Sequence, residues 1–355
     1  MGPLACVQDM IAVAPAGGVD QGWRMRILYS VLLLLVLTPP WMGEKRLPLL
    51  GRDPVFEARP VQLDAANPAR RRAGQLLFLG GVRLDSPDPA FGGFSSLQVS
   101  GDRFTLLSDG GNIVRFRMDR AWRLSARQFA ELPAGPGTGW VKADRDSESM
   151  TSDPATGRIW VGFERANAIW RFAPGLARGE AHVEPPAMAD WPVNIGPEAM
   201  TRLPDGGFIV IDEGEPWPGG KGRAAIRFSG DPVAGPRQGF RFSYLTPPHY
   251  DPSDMTVLPD GRLLVLNRRF ALPFNFTAKL TLIDPAAIRP GALVRGREIA
   301  TLEAPLVHDN FEGVAATREG DATIIWIVSD DNQLFLQRSL LLKFRLEPDS
   351  ASNRR

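Results

Sequence analysis

The sequence is poor in cysteine and histidine, and this scarcity narrows the chemistry open to the chain. Among 355 residues there are one cysteine, Cys6, and three histidines, at positions 182, 249 and 308. A lone cysteine cannot form an intramolecular disulfide, and structural zinc sites need several cysteine or histidine ligands. The chain beyond Cys6 therefore has no thiol nucleophile and no zinc-thiolate site, a composition that suits an oxidising compartment such as the periplasm.

The sequence also lacks a charge excess of either sign. Its formal net charge is +1, and its longest basic run is the triplet at 70–72. Binding to nucleic acid usually requires a basic face, so we expect no nucleic-acid partner. The content of 44% hydrophobic and 23% charged residues is that of an ordinary globular chain, long enough for one large domain or two small ones.

Long hydrophobic runs are scarce, and the most prominent lies near the N-terminus. Arg26 precedes an apolar stretch from Ile27 to Leu37, which has the length of a secretory h-region and is shorter than the roughly 17–25 residues of a membrane span. Met25 is the better start for such a signal, so residues 1–24 are interpreted as a misassigned start. We predict that residues 25–43 are a signal peptide or an uncleaved membrane anchor, the alternative being an apolar core segment. The protein is then exported, and is either periplasmic or anchored in the membrane facing the periplasm.

Helical periodicity is absent after this segment, whereas 36 glycines and 32 prolines punctuate short apolar runs. Five segments share one plan of strand, Gly/Asp/Pro turn and second strand. They lie at 94–116, 147–172, 197–214, 252–270 and 308–346. Further strand-like pieces follow in each unit, and repeats of roughly 40–50 residues with four strands are typical of propeller blades.

The fold class predicted is therefore all-β: a β-propeller of five to six four-stranded blades. The last repeat lacks an outermost strand, which residues 55–64 or 75–84 would supply from the N-terminal side and so close the ring. We assign residues 44–60 to a linker, 61–348 to the propeller and 349–355 to a disordered tail.

Carboxylates stand at both outer ends of the repeat hairpins. In an antiparallel hairpin the start of the first strand lies beside the end of the second. Acids far apart in sequence should therefore meet at one rim of a blade. The predicted sets are Glu148 with Glu164, Glu198 with Glu213, and Glu312 with Asp330 and Asp331. Because the rims of a propeller converge, these side chains are expected at one mouth of the central channel.

Crowded carboxylates repel one another, and their pKa values rise unless a cation neutralises them. Oxygen ligands without cysteine favour a hard cation, so we predict Ca²⁺, with Mg²⁺ as the alternative, at these seven residues. The competing interpretation is structural, because acids at strand ends often cap turns or accept main-chain N–H groups.

Nearby cations would matter for a phosphate substrate. Arg268 and Arg269 stand where other repeats carry acids, and in that fourth repeat Asp254 is expected opposite Asn267 and Arg268. Arginine matches phosphate oxygens well. Lys142 and Arg338 could join them, and His308 is a candidate general acid. The alternative for each is a solvated or salt-bridging side chain.

The segments at 144–172, 194–214 and 308–344 resemble the bacterial phytase-like propeller family, described as having the esterase-like activity of phytase. Its marks here are the repeated acid-x-Met strand starts and the closing "SDDN" before "LLLKF". The resemblance covers about residues 75–346. It implies phosphoester hydrolysis by the acids listed above, with Glu148 and Glu312 as catalytic candidates. The departure is in the first and fourth repeats, where Ser95 and Ser253 replace the leading glutamate.

The preferred hypothesis is thus a secreted, metal-assisted phosphoesterase that acts on a small-molecule phosphomonoester or phosphodiester, as a monomer whose N-terminus can contact a membrane. One alternative is a non-catalytic periplasmic propeller that binds a ligand or protein and holds structural calcium. A serine carboxylesterase is the third. Against it, the chain has no G-x-S-x-G motif, and Ser95, Ser149 and Ser253 have no evident partner in sequence.

Overall fold

A computed structural model describes residue 26, residues 29–30, and residues 46–348 except 274 and 335. The chain divides into two compact units, Met1–Lys45 and Arg46–Arg355. In the first unit Arg26, Tyr29 and Ser30 are helical. Cys6, the rest of the predicted signal or anchor and the predicted tail lie outside the described residues. Within the described part, no helix has the length and apolar character needed to cross a membrane.

The second unit is built almost entirely of strands. In chain order they are β1 Glu57–Pro60, β2 Arg72–Ala73, β3 Leu76–Asp85, β4 Phe94–Ser100, β5 Arg103–Ser108, β6 Asn112–Met118, β7 Leu124–Glu131, β8 Ser147–Ser152, β9 Ile159–Phe163, β10 Ala168–Phe172, β11 Gly179–Val183, β12 Ala199–Arg202, β13 Phe208–Ile211, β14 Arg223–Phe228, β15 Gly239–Leu245, β16 Asp251–Val257, β17 Leu263–Ala271, β18 Asn275–Ile283, β19 Leu293–Arg295, β20 Arg297–Leu302, β21 Asn310–Glu319, β22 Ala322–Asp330 and β23 Ser339–Leu346. Four 3-10 turns connect them: Lys142–Asp144, Pro174–Leu176, Pro186–Met188 and Pro285–Ala287.

These strands form five mainly antiparallel sheets, so the protein is a five-bladed β-propeller. The blades are β4–β7, then β8–β11, then β12–β15 with β19 added in parallel, then β16, β17, β18 and β20, and last β21, β22, β23 and β3 with β1 and β2 at its outer side. The prediction of a propeller is confirmed, and the number of blades is the lower of the two expected.

The ring closes through strand pairing between the two ends of the unit. β3 pairs with β23 from Leu76–Leu346 to Leu84–Ser339, and β1 then pairs with β3. Both stretches proposed to close the ring are therefore used. In the described part of the predicted linker 44–60, Leu47 and Phe56 are buried, and β1 is a strand of the fifth blade.

Burial follows strand position within each blade. The second strands are covered on both faces by neighbouring blades, and β9 and β13 accordingly read as unbroken apolar runs that are fully buried. The outermost strand β7 is mostly exposed and carries polar side chains. Five apolar clusters fill the five spaces between adjacent blades. Rings bridge blades directly, as for Trp160 and Phe208, whose centroids are 5.0 Å apart.

Two faces of the propeller differ in the loops they carry. We call the acid face the side on which first strands begin and second strands end. It holds the connections between second and third strands and those between successive blades. The turn face is the opposite side, with the tight turns between first and second strands at 101–102, 153–158, 203–207, 258–262 and 320–321. Gly206 and Gly261 there have φ of +88°, which glycine adopts without strain.

Candidate functional site

Four of the five first strands are irregular at the acid face. In four blades the register of the first strand shifts over one extra residue, a β-bulge that re-aims the side chain it carries. The bulged residues are Ser95, Glu148, Ser253 and Glu312. In the third blade Glu198 takes the equivalent place, immediately before β12. The repeat position recognised in the sequence is thus a bulge position, and it forms an inner ring of three glutamates and two serines.

A second ring surrounds the first at the acid-face ends of the second strands. Its members are Asp109, Glu164, Glu213, Arg268 and Asp330. Each inner position therefore has an outer partner across the hairpin, as the antiparallel argument predicts. One detail of that prediction is wrong: Asp254 lies opposite Leu266, while Asp251 and Pro252 lie opposite Arg268 and Asn267, because the bulge at Ser253 shifts the register. The Asp254 carboxylate accepts the main-chain N–H groups of Met255 and Val314, both at 2.7 Å.

The acids of the second and third blades come closest together. Asp146, Glu148 and Glu164 offer carboxylate oxygens that all lie within 4.8 Å of one another, and so do Glu164, Glu198 and Glu213. Glu164 belongs to both groups. Four of the seven predicted metal ligands are therefore brought together. Asp146 was missed in the sequence, although its place two residues before Glu148 in an extended segment is the spacing that puts side chains on one side.

Electrostatics make these acids unfavourable to ionise in the absence of a cation. Burial, and then the charge of Asp146, raise the pKa of Glu164 to about 8. Burial, and then the nearby Glu198, hold the pKa of Glu148 well above its ordinary value. The pKa of Glu198 is raised in the same way, by burial and then by Glu213. Removing charged carboxylates from water is costly, and like charges nearby add to that cost.

The carboxyl groups that influence one another at this face include Asp109, Asp146, Glu148, Glu164, Glu198, Glu213, Glu312 and Asp330. Among the described residues, three cationic side chains make ion pairs with them. Those three are Lys142, Arg165 and Arg268. The charges on the protein itself therefore leave the cluster strongly anionic when its acids are ionised.

Arg268 stands in the outer ring where other blades have acids. Its Nη2 lies 2.6 Å from Glu213 Oε1 and its Nε lies 3.1 Å from Glu312 Oε2. Burial raises the pKa of Glu312 to about 7, although the charge of Arg268 opposes that rise. Lys142 similarly lies 2.5 Å from Asp109 and 3.5 Å from Asp146. Both cations are thus inside the acidic site.

The remaining predicted ligands lie outside the two close groups. Asp330 is buried, and burial followed by the charge of Asp109 raises its pKa. Asp331 accepts N–H groups from Gly93 and Gln333, each at 3.0 Å, and the Ser339 hydroxyl at 2.7 Å. Asp331 thereby joins the fifth blade to the loop before the first, which is the structural role that the competing interpretation allowed.

The other predicted substrate-binding groups are spread over the acid face. Arg269 is exposed beside Arg268 on β17. Arg338 donates to Asp309 Oδ2 and to the His308 carbonyl, both at 3.0 Å. The His308 Nδ1 is 2.7 Å from the Leu306 carbonyl oxygen. His308 and Arg338 line a different depression, together with Val61 and Pro305.

The three serines at the rim are used within the fold. Ser95 Oγ donates to the Ser147 carbonyl at 2.7 Å, Ser149 to that of Pro197 at 2.6 Å, and Ser253 to that of Phe311 at 3.1 Å. Each acceptor belongs to the next blade or to the loop entering it, and all three serines are buried. These hydroxyls hold neighbouring blades together, which gives no support to a serine nucleophile.

The fold and site define a class: a five-bladed propeller with a carboxylate-lined channel mouth. The phytase-like family, described as "esterase-like activity of phytase", matches residues 89–333, which is more than half of the chain. The protein belongs to this phytase-like family. The resemblance seen in the repeats is therefore confirmed.

Other comparisons add little. No curated protein matches the chain. Among solved structures, a hypothetical protein from Leishmania major is 8% identical, covering 90% of this chain and 94% of its own, with a TM-score of 0.39. A luciferin-regenerating enzyme is 13% identical, covering 86% and 98%, with a TM-score of 0.37. A nidogen/laminin complex is 10% identical, covering 81% and 96%, with a TM-score of 0.40. Structural similarities this distant do not indicate a function.

Proposed function

We propose that the protein is an exported, metal-assisted phosphoesterase whose site is the acidic mouth of the propeller. The observation that carries this proposal is the pair of close carboxylate groups sharing Glu164, in a chain of the phytase-like family. Asp146, Glu148 and Glu164 would hold one ion, and Glu164, Glu198 and Glu213 a second.

The donor set suits a hard divalent cation. Every candidate ligand atom in the two groups is a carboxylate oxygen, which favours Ca²⁺ or Mg²⁺ over zinc. The raised pKa values of Glu148, Glu164 and Glu198 mean that a cation would relieve a repulsion built into the fold. We favour Ca²⁺, because its 6–8 flexible oxygen ligands fit side chains from separate blades. When bound, such an ion stabilises charge on phosphoryl oxygens and lowers the pKa of water.

The chain's own residues would perform the remaining tasks. Arg268 and Lys142 offset negative charge on the phosphoryl group, and Arg268 has N–H donors beyond the two that face Glu213 and Glu312. Glu312 lies outside both close groups and is buried at the inner ring, so we assign it the proton transfer. In the balanced reaction a P–O bond to the leaving alcohol breaks, water gives its hydroxyl to phosphorus, and its proton goes to that alcohol.

The first test is turnover of p-nitrophenyl phosphate and bis(p-nitrophenyl) phosphate with Ca²⁺ or Mg²⁺, before and after chelation. We expect turnover of at least one ester that chelation stops and either ion restores. Metal-dependent thermal stabilisation without turnover on any phosphoester would instead favour the non-catalytic binding propeller. Equal hydrolysis by metal-free protein would overturn the proposal.

The sharpest variant is Glu164→Gln, because it removes the ligand that both groups share. We expect calorimetry to show loss of ion binding, and turnover to fall by about a hundredfold or more. Glu319→Gln on the turn face is the matched control. The exposed Glu319 carboxylate pairs with Lys343 of the same blade at 2.7 Å, far from the acidic mouth, so both binding and turnover should be unchanged.

A further inference from the structure

Exposed apolar side chains gather on one face of the protein. Among the described residues, ten large apolar side chains are exposed. Eight of them lie on the acid face or on the segment packed over it: Leu49, Val55, Trp140, Val193, Phe270, Leu272, Leu334 and Leu336. The other two are Tyr29, in the N-terminal unit, and Leu293, on an outer edge strand.

The strand order places each of these residues. Trp140 and Val193 lie in the connections from the first blade to the second and from the second to the third. Phe270 and Leu272 lie where β17 turns into β18, and Leu334 and Leu336 lie between β22 and β23. All of these connections belong to the acid face. The apolar side chains therefore come from four connections on the face that also carries the carboxylate site.

The segment before β1 covers the same face. Leu50 N–H donates to the Asn112 side chain at 3.3 Å, and Asn112 donates to the Pro48 carbonyl at 2.9 Å. Asn112 begins the third strand of the first blade, next to an acid-face connection. Leu49 is therefore displayed there as well, and the Ser86 hydroxyl holds the Val55 carbonyl at 2.7 Å.

Exposed large apolar side chains are rarer on the turn face: among the described residues its connections carry one, Leu293, between β18 and β20. Its five tight turns between first and second strands show no exposed large apolar residue in this described part of the chain. Soluble monomers rarely expose large contiguous apolar patches, and the patches that do occur mark contact with proteins or membranes. Because most exposed large apolar side chains lie on the acid face, we expect an apolar partner to bind there.

The N-terminal segment identifies that partner. The described part of the second unit starts at Arg46, which bridges to Val141 in the same loop as Trp140 and lies over the Trp140 ring at 4.8 Å. Leu47 N–H donates to the Trp140 carbonyl at 2.7 Å. In the sequence, residues 38–45 separate the apolar run Ile27–Leu37, predicted as a signal or anchor, from Arg46. A predicted membrane anchor before Arg46 would therefore enter the propeller at the acid face, which carries the exposed apolar side chains.

We infer that the acid face docks on a phospholipid bilayer and receives the phosphate of a lipid headgroup in the carboxylate site. Exposed Trp140 suits the interface, where tryptophan is enriched, and exposed Arg269 beside Phe270 suits an anionic headgroup layer. Docking rests on the exposed apolar side chains and on the position of the N-terminal segment, and it does not require catalysis. The lipid phosphoester as substrate rests on the proposed function, and its hydrolysis follows the same balance of water, phosphorus and leaving alcohol.

Position-specific fluorescence tests docking without requiring catalysis. In the full chain with Cys6→Ser, single cysteines are placed by Leu272→Cys, Leu334→Cys, Leu293→Cys and Asp321→Cys and labelled with an environment-sensitive dye. Vesicles of phosphatidylcholine and phosphatidylglycerol should shift emission to the blue at 272 and 334. Emission at 293, on the outer edge, and at 321, on the turn face, should not change. Unchanged emission at 272 and 334, or an equal shift at all four positions, would overturn docking.

Turnover separates the two ideas. The double change Leu334→Ser and Leu336→Ser should slow hydrolysis of vesicle phospholipid about tenfold and leave that of bis(p-nitrophenyl) phosphate unchanged. Leu293→Ser is the matched control, since Leu293 is 48% exposed and Leu334 51%. A blue shift without turnover of either ester would support docking and overturn hydrolysis. Turnover of the soluble ester with flat emission would overturn docking alone.

Discussion

Both faces of the propeller carry acids, but the fold treats them in opposite ways. On the turn face, Asp102 pairs with Arg117 at 2.9 Å in solvent, and this hydrogen bond lowers the pKa of Asp102. On the acid face, burial and neighbouring acids raise the pKa of Glu148 and Glu198. Asp102 finds its partner within one hairpin, whereas acid-face acids are gathered from different blades. A local ion pair therefore favours the ionised form of a carboxylate, whereas ring closure crowds buried carboxylates together and disfavours it.

The largest expected difference between the faces is in the loss of an arginine. Arg268→Met leaves Glu213 and Glu312 without their partly buried partner, so we expect a loss of about 3 kcal/mol in the free energy of unfolding. Arg262→Met removes the exposed partner of Asp260 on the turn face and should cost less than about 1 kcal/mol. Urea denaturation of both variants without added metal measures the difference. Equal losses of stability in the two variants would show that Arg268 offsets no more repulsion between acids than Arg262 does.

A second difference should appear in the pH dependence of stability. The pKa values of Glu164 and Glu312 are raised to about 8 and about 7 in the fold, from an ordinary value of 4.5. Between about pH 4.5 and pH 8 the folded protein therefore binds more protons than the unfolded chain. Its stability falls as pH rises through this interval. We expect a lower melting temperature at pH 8 than at pH 5 in chelator, with added Ca²⁺ reversing the loss.

Some carboxylates on the turn face have lowered pKa values, so their contribution to stability changes with pH in the opposite direction. They provide the control for that measurement. Because the pKa values of Asp102 and Asp153 are lowered in the fold, these two carboxylates stabilise it at pH values above their ordinary pKa. This contribution to stability is lost only in more acid solution. Glu164→Gln should flatten the fall between pH 5 and pH 8, while Asp102→Asn should leave it unchanged. A melting temperature that rises across this interval in chelator contradicts the acid-face account.

The smallest expected effect concerns a serine of the inner ring. Ser95→Ala removes the hydroxyl that donates to the Ser147 carbonyl, at a cost of about 1 kcal/mol in stability. Turnover should stay within about threefold of the original, because this hydroxyl joins blades and is not a nucleophile. Thr256→Ala, at the turn-face end of the fourth blade's first strand, is a control for a small polar side chain. Loss of all turnover in Ser95→Ala would instead support the serine carboxylesterase hypothesis, with Ser95 as the nucleophile.

Much of the fold could be predicted because it is written in local patterns. Turn residues between apolar runs repeat five times, and each repeat became a blade. The pairing of Glu148 with Glu164 and of Glu198 with Glu213 also followed, since antiparallel geometry relates strand ends. The bulges, the burial of Leu47 and Phe56 and the membership of Asp146 did not follow. Each depends on packing against residues that are distant in sequence.

The sequence by itself determined that strands would alternate with tight turns and that acids would recur at one end of each hairpin, because turn chemistry and side-chain alternation act over a few residues. Only the tertiary structure decided which carboxylate oxygens lie within 4.8 Å of one another and that Arg268 contacts both Glu213 and Glu312. It also decided that the exposed apolar side chains share a face with these acids. Those outcomes depend on closing five blades into a ring, and closure brings together groups that no local pattern relates.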